Sequence, residues 1–170
     1  MNIELIFFSI IASCAVVSAI MMITSLSPVK SVLFLIVNFF CLSILYLLLH
    51  AQFIAVAQII VYAGAIMVLF LFVIMLLNVS DDRSFAERGT VKKLVALFLA
   101  GGMVFEILSS FMFSEGAGGG AVSSQMLSLG TVEGIGRELF TTYLLPFEIT
   151  SMLLLAAMVG VIVLAKKKFE

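Results

Sequence analysis

VLFLIVNFFCLSILYLLLHAQFIAVAQIIVYAGAIMVLFLFVIMLL, residues 32–77, decides the fold, because it contains no Asp, Glu, Lys or Arg. A transmembrane helix needs about 20 mostly apolar residues, so a stretch of 46 residues is too long for one span. The only strongly polar break within it is His50-Ala51-Gln52. The stretch therefore predicts two transmembrane helices joined by a tight hairpin at these three residues.

The rest of the chain has the same apolar character. Of its 170 residues, 64% are hydrophobic and 11% are charged, and a soluble domain of this length has too small a core to bury so much apolar surface. We predict an all-α membrane protein with five transmembrane helices in a single integral membrane domain, residues 1–170. The helices are predicted at about residues 5–26, 31–49, 53–77, 94–113 and 144–164, and residues 114–142 are predicted to form a flexible outer loop.

The basic residues predict the orientation, because cytoplasmic loops of membrane proteins carry an excess of Lys and Arg. With five spans, eight of the nine basic residues share one side of the membrane. These eight are Lys30, Arg83, Arg88, Lys92, Lys93, Lys166, Lys167 and Lys168. Only Arg137 lies on the opposite side. We therefore predict that the N-terminus is outside and that the C-terminus is cytoplasmic.

Residues for nucleophilic, metal or cofactor chemistry are scarce. His50 is the only His and lies at a predicted helix end, while Cys14 and Cys41 lie in different apolar segments. A haem or copper site needs several ligands held together. The glycines at 116–120 are not followed by Lys-Ser or Lys-Thr, which argues against a phosphate-binding loop. We predict no catalytic, cofactor-binding or metal site in this chain, and no nucleic-acid partner.

Polar and small residues in the third predicted helix are more informative. Gln58 and Tyr62 are four residues apart, which places them on one helix face, and Ala63-Gly64-Ala65 follows directly. One interpretation is close helix packing with hydrogen bonds across the interface. The other is that Gly64, which has no Cβ, allows a local π-bulge, a feature found frequently at functional sites. Both interpretations remain open at this point.

Two carboxylates lie within predicted spans. Glu106 is about twelve residues into the fourth helix, where an ionised carboxylate costs at least about 2.5 kcal/mol. It is therefore expected to be protonated, paired with a partner subunit or in contact with water. Glu148 is one turn into the fifth helix, where it either stabilises the helix N-terminus or contributes to a proton path. These groups are too few for a self-contained pump, so the chain is either a scaffold or part of a path completed by neighbours.

Two stretches carry a resemblance to a known family. The first comprises Ala51-Gln52-Phe53 and residues 58–78, QIIVYAGAIMVLFLFVIMLLN. The second runs from Ile135-Gly136 through Leu139-Phe140, Tyr143, Pro146-Phe147-Glu148 and residues 151–157, SMLLLAA. Together they resemble chain J of bacterial NADH–quinone oxidoreductase, the family of mitochondrial NADH dehydrogenase subunit 6. In that family an Asn-Pro pair often opens the second helix, where this chain has Ser27-Pro28.

The resemblance implies a non-catalytic subunit in the membrane arm of respiratory complex I, within a proton-translocating enzyme of the inner (plasma) membrane. Its neighbours would be the lipid bilayer and the A-, H-, K- and N-type subunits. It would contact quinone only indirectly, and FMN and iron–sulfur clusters would lie in partner subunits.

The resemblance also concerns individual residues. It implies a switchable π-bulge at Tyr62-Ala63-Gly64 that couples quinone chemistry to proton translocation. Glu148 matches an acid of the family. Some members carry Glu where this chain has Gln58, and Glu106 has no general counterpart.

Two alternatives remain beside this interpretation. The chain could belong to a related multi-subunit cation/proton antiporter or ferredoxin-linked complex, which shares membrane modules with complex I. It could instead be a purely structural assembly subunit with no part in coupling.

Overall fold

The computed structural model describes residues 3–77, 90–113 and 129–166, and these residues form helices without any strand. The predicted all-α class is therefore confirmed for the described part of the chain. The helices are α1 (Ile3–Thr24), α2 (Pro28–Leu48), α3 (Gln52–Leu77), α4 (Thr90–Phe113), α5 (Val132–Leu139) and α6 (Leu144–Ala165).

Four of the described helices, α1, α2, α3 and α6, are long and apolar enough to cross a membrane. In α4 the apolar segment is shorter and covers Leu94–Ser110. Residues 78–89, which connect α3 to α4, lie outside the described residues, as do residues 114–128 of the predicted outer loop. The remainder of that loop contains the short helix α5. Thr131 caps its N-terminus, because the Gly134 N–H donates to the Thr131 hydroxyl oxygen at 3.1 Å.

The connection between α1 and α2 is shorter than the sequence predicted. Helix α2 begins at Pro28 rather than near residue 31, because proline is well suited to the first helical position, where the missing N–H is not needed. The Ser31 hydroxyl donates to the Met22 carbonyl across this corner, with 2.6 Å between the oxygens. The corner therefore has a defined geometry that holds the end of α1 against the start of α2.

Helix α2 lies between α1 and α3 and contacts both of them. The interfaces consist mainly of small residues, and the buried ones include Ala15, Ser18, Cys41, Ser43, Ala55 and Ala63. The Asn38 amide donates to the Ala15 carbonyl at 2.7 Å and to the Ser18 hydroxyl at 3.2 Å, which joins α2 to α1. Close packing of small residues and such interhelical hydrogen bonds are what hold helices together in lipid, where burial of apolar surface gives little advantage.

Helices α4 and α6 stand apart from this three-helix bundle. Within the described residues, α4 contacts no other helix, and α6 contacts only α5. No residue of α6 is buried, although the helix is strongly apolar. Such surfaces are available for lipid or for partner subunits.

Candidate functional site

The central feature of the bundle is a π-helical segment, Gln58–Ile66, in the middle of α3. At its end the Met67 N–H donates to the Tyr62 carbonyl, five residues back, rather than four as in an α-helix. The segment contains Tyr62, Ala63 and Gly64. Because π-helices are rare and occur frequently at functional sites, this segment is the candidate site.

Gly64 fits the π-helical geometry because it has no side chain. A Cβ built on Gly64 would lie 3.2 Å from the Ile59 carbonyl oxygen, which is tighter than ordinary van der Waals contact. The preceding residue, Ala63, is buried against the bundle with 5% of its surface exposed. A larger residue at position 64 would therefore press on the wider π turn, whereas the regular α-helix tolerates any ordinary side chain.

Gln58 and Tyr62 have different surroundings. Gln58 is buried, with 8% of its surface exposed. Tyr62 is 49% exposed, and its ring meets that of Phe39 on α2 edge to face, with centroids 5.7 Å apart. The sequence placed the two on one face by α-helical spacing. A π turn holds more residues than an α turn, but side chains four apart still lie on nearly the same face, so the joint role of the two residues stays a prediction.

The part of α3 before the π segment is held to its surroundings. The Ser43 hydroxyl of α2 donates to the Ala55 carbonyl at 2.8 Å, and Ser43 is completely buried. Such a hydrogen bond stabilises by about 1 kcal/mol. At the start of α3, the Phe53 N–H donates to the Gly130 carbonyl at 3.3 Å. The sequence analysis predicted neither the Ser43–Ala55 nor the Phe53–Gly130 hydrogen bond. The only related signal in the sequence is Thr131, a residue type that favours the start of a helix directly after Gly130.

The hairpin before α3 has an unusual backbone. His50 is exposed and has φ 60°, which non-glycine residues adopt uncommonly. Its N–H donates to the Leu47 carbonyl, and the next N–H, of Ala51, donates to the Tyr46 carbonyl. Gly130 lies against this turn so closely that a Cβ built on it would overlap the His50 carbonyl oxygen. His50 therefore has a structural place in the hairpin, in agreement with the prediction that it lies at a helix end.

The two carboxylates predicted as possible path residues lie apart from the π segment. Glu106 is on α4 and Glu148 on α6, both are exposed, and neither helix contacts α3 within the described residues. The hydroxyls of Ser109 and Ser151 donate to the backbone carbonyls of these residues and not to their carboxylates. The described residues contain no group of three or more His, Cys, Asp or Glu that could hold a metal ion.

Comparison with known proteins decides the family. Residues 18–164 match the model of the family NADH-ubiquinone/plastoquinone oxidoreductase chain 6. The chain belongs to this family. The resemblance predicted from the third helix and from the region around Pro146 is thereby confirmed.

Similar proteins in this family come from cyanobacteria and chloroplasts. NAD(P)H-quinone oxidoreductase chain 6 of Leptolyngbya boryana is 35% identical over 168 residues, which cover 99% of this chain and 82% of the relative. The protein of the same name from a Nostoc species is 33% identical with the same coverage. The chloroplastic subunit 6 of Marchantia polymorpha is 38% identical over 147 residues, 82% of this chain and 76% of the relative.

The family match includes every part of the candidate site. The π segment, the hairpin at His50, Gly130 and Glu148 all lie within residues 18–164. Chain 6 family membership and the apolar helices together agree with the predicted membrane protein.

Proposed function

We propose that this chain is a non-catalytic membrane-arm subunit of a proton-translocating NAD(P)H–quinone oxidoreductase, and that α3 helps couple quinone reduction to proton translocation. The observation that carries the proposal is the π-helical segment Gln58–Ile66 in a chain of the chain 6 family. The helix would change between this form and a regular α-helix during turnover.

The geometry of such a change follows from helix periodicity. Converting a π-bulge to α-helix shifts the register by one residue, which turns one half of the helix against the other by about 100°. The first half of α3 is held by Ser43 and by the Gly130 carbonyl. The second half, Met67–Leu77, packs against α2 through apolar side chains alone, and we propose that it is the part that turns. Gln58, a buried amide in the π segment, would help to make or break a chain of water molecules, since it can hold water but cannot titrate.

The redox chemistry is assigned to other subunits. FMN and iron–sulfur clusters need a nucleotide site or sets of Cys ligands. The two cysteines of this chain, Cys14 and Cys41, do not make such a set. The proposed neighbours are the A-, H-, K- and N-type membrane subunits, which would cover the exposed apolar surfaces of α4 and α6. Contact with quinone would be indirect.

The proposed topology has five spans, with the N-terminus outside and the C-terminus cytoplasmic. The Phe53–Gly130 hydrogen bond supports it, because it brings the hairpin before α3 and the residues before α5 to the same end of the bundle. Helix α3 leads away from that end, so the chain has to cross back before Gly130. The apolar part of α4, Leu94–Ser110, is at the short end of the about 17–25 residues that a span needs, and we propose α4 as this crossing.

One tagged form of the chain tests both the proposed complex and the proposed orientation. A C-terminal tag is used to purify the chain from native membranes in mild detergent, and the eluate is assayed for quinone reduction driven by NADH or NADPH. We expect this activity together with flavin or iron–sulfur subunits. In sealed right-side-out vesicles, protease should not reach the tag, whereas in inverted vesicles it should.

Other results would contradict specific parts of the proposal. A stable eluate without any electron-transfer subunit would favour the antiporter-type complex or the assembly role over the coupling role. Cleavage of the tag in right-side-out vesicles would contradict the proposed cytoplasmic C-terminus.

A further inference from the structure

The contact between Gly130 and the α2–α3 hairpin joins two parts of the chain that are far apart in sequence. The Gly130 carbonyl accepts from the Phe53 N–H at 3.3 Å, in the first turn of α3. A Cβ built on Gly130 would overlap the His50 carbonyl oxygen and lie 3.2 Å from the His50 carbonyl carbon and 3.5 Å from the Ala51 Cα. All three are backbone atoms, so they cannot move aside as the end of a flexible side chain can. The close approach therefore requires glycine at position 130.

We propose that Gly130 is a positioning residue that clamps the start of α3, so that a change in the π segment turns the second half of the helix and not the first. This inference rests on the proposed function. Without this contact, the change from π-helix to α-helix would turn the short first half of α3, Gln52–Ala57, instead of the second half. The motion would then fail to reach Met67–Leu77.

Two further observations support a clamp at this point. His50 holds φ 60°, so the hairpin keeps an uncommon backbone shape that directs its carbonyl towards Gly130. Thr131, which follows Gly130, caps helix α5. Helix α5 contacts the start of α3, Gln52–Ala57, and it also contacts α6. The clamp therefore connects the start of α3 to the helix that carries Glu148.

The test is Gly130→Ala in the intact, membrane-bound complex, with Gly136→Ala as the matched control. A Cβ on Gly136, in the neighbouring helix α5, meets no atom within 4 Å. We measure protons translocated per quinone reduced in sealed vesicles, normalised to the amount of assembled complex. We expect Gly130→Ala to lower this ratio by about threefold while quinone reduction stays within about twofold, because the substitution biases a conformational equilibrium and touches no reacting group. Gly136→Ala should change neither quantity.

A second variant separates positioning from simple loss of stability. Glycine at position 50 adopts φ 60° without strain and also permits other backbone conformations, so His50→Gly keeps the hairpin shape while allowing the residue-50 carbonyl to move away from a Cβ at position 130. We expect His50→Gly alone to leave the ratio unchanged, and the double variant to recover at least half of the loss. If Gly130→Ala behaves like Gly136→Ala, or if it reduces assembly without any recovery by His50→Gly, Gly130 is not a positioning residue.

The outcome is distinct from a failure of the proposed function. If a large residue at Gly64 leaves the ratio of protons to quinone unchanged, α3 does not couple, and the proposed function and the clamp are both wrong. If a large residue at Gly64 lowers the ratio and Gly130→Ala does not, only the clamp is wrong.

Discussion

Gly64→Val is expected to lower the number of protons translocated per quinone reduced by about tenfold, in a complex that still assembles and still reduces quinone. The Cβ at position 64 would lie 3.2 Å from the Ile59 carbonyl oxygen in the π-helical form. Valine adds two γ-carbons whose rotation is restricted in a helix, so it cannot turn away from the contact. The regular α-helix accepts valine slightly better than glycine. A combined preference of about 1.4 kcal/mol for the α-helical form shifts the equilibrium about tenfold.

Two control variants accompany Gly64→Val: the same substitution at another glycine, and a smaller substitution at position 64. Gly101→Val on α4 is the matched control, since a Cβ there meets no atom within 4 Å. Gly64→Ala should act in the same direction as Gly64→Val but more weakly. Proton translocation is followed with a pH-sensitive dye in sealed vesicles, and quinone reduction is measured on the same sample. If the complex with Gly64→Val assembles and translocates protons with the normal ratio, α3 has a packing role only.

Glu148→Gln is expected to reduce proton translocation by about tenfold and assembly by much less. Glu148 is exposed on α6, within the membrane-spanning segment, where carboxylates are costly and are usually retained for function. Glutamine keeps the size and hydrogen-bonding capacity but cannot bind or release a proton. If Glu148 only stabilised the helix N-terminus, its loss would cost about 0.3–1 kcal/mol and affect assembly and translocation alike.

The matched control for Glu148 is Glu133→Gln. Glu133 is exposed in the first turn of α5, nearer to its helix N-terminus than Glu148 is to that of α6, and it lies outside the spanning helices. Assembly is quantified on native gels, and translocation is expressed per assembled complex. A loss of assembly in Glu148→Gln that fully accounts for the loss of translocation would leave Glu148 with a structural role.

The sequence predicted the helices because their apolar stretches and polar breaks are local properties. The hairpin at His50-Ala51-Gln52 is an example, since these three polar or small residues interrupt an otherwise apolar stretch. The start of α2 differed by about three residues, because the position of Pro28 favours helix initiation more than the surrounding pattern indicated.

The site was only partly predictable. Gly64 could be singled out from sequence, but α-helix and π-helix remained open, because the choice depends on how the neighbouring backbone packs. The contact of Gly130 with His50 could not be predicted, since it joins residues distant in sequence and requires an uncommon φ at His50. The surroundings of Glu106 and Glu148 could not be predicted either. Their helices do not contact α3 within the described residues, so the packing of this chain does not determine what faces them.

The most direct test of the account is to fix α3 in its π-helical form during turnover. Phe39→Cys and Tyr62→Cys, in a chain with Cys14 and Cys41 replaced by Ala, are bridged with a short bifunctional methanethiosulfonate reagent. The two rings meet at 5.7 Å between centroids, and register changes in α3 would separate them. We predict that bridging lowers the ratio of protons translocated to quinone reduced by at least about tenfold, that a reductant restores it, and that neither single-cysteine variant responds to the reagent. A bridged complex that translocates protons at the full ratio would contradict the claim that α3 changes form to couple the two reactions.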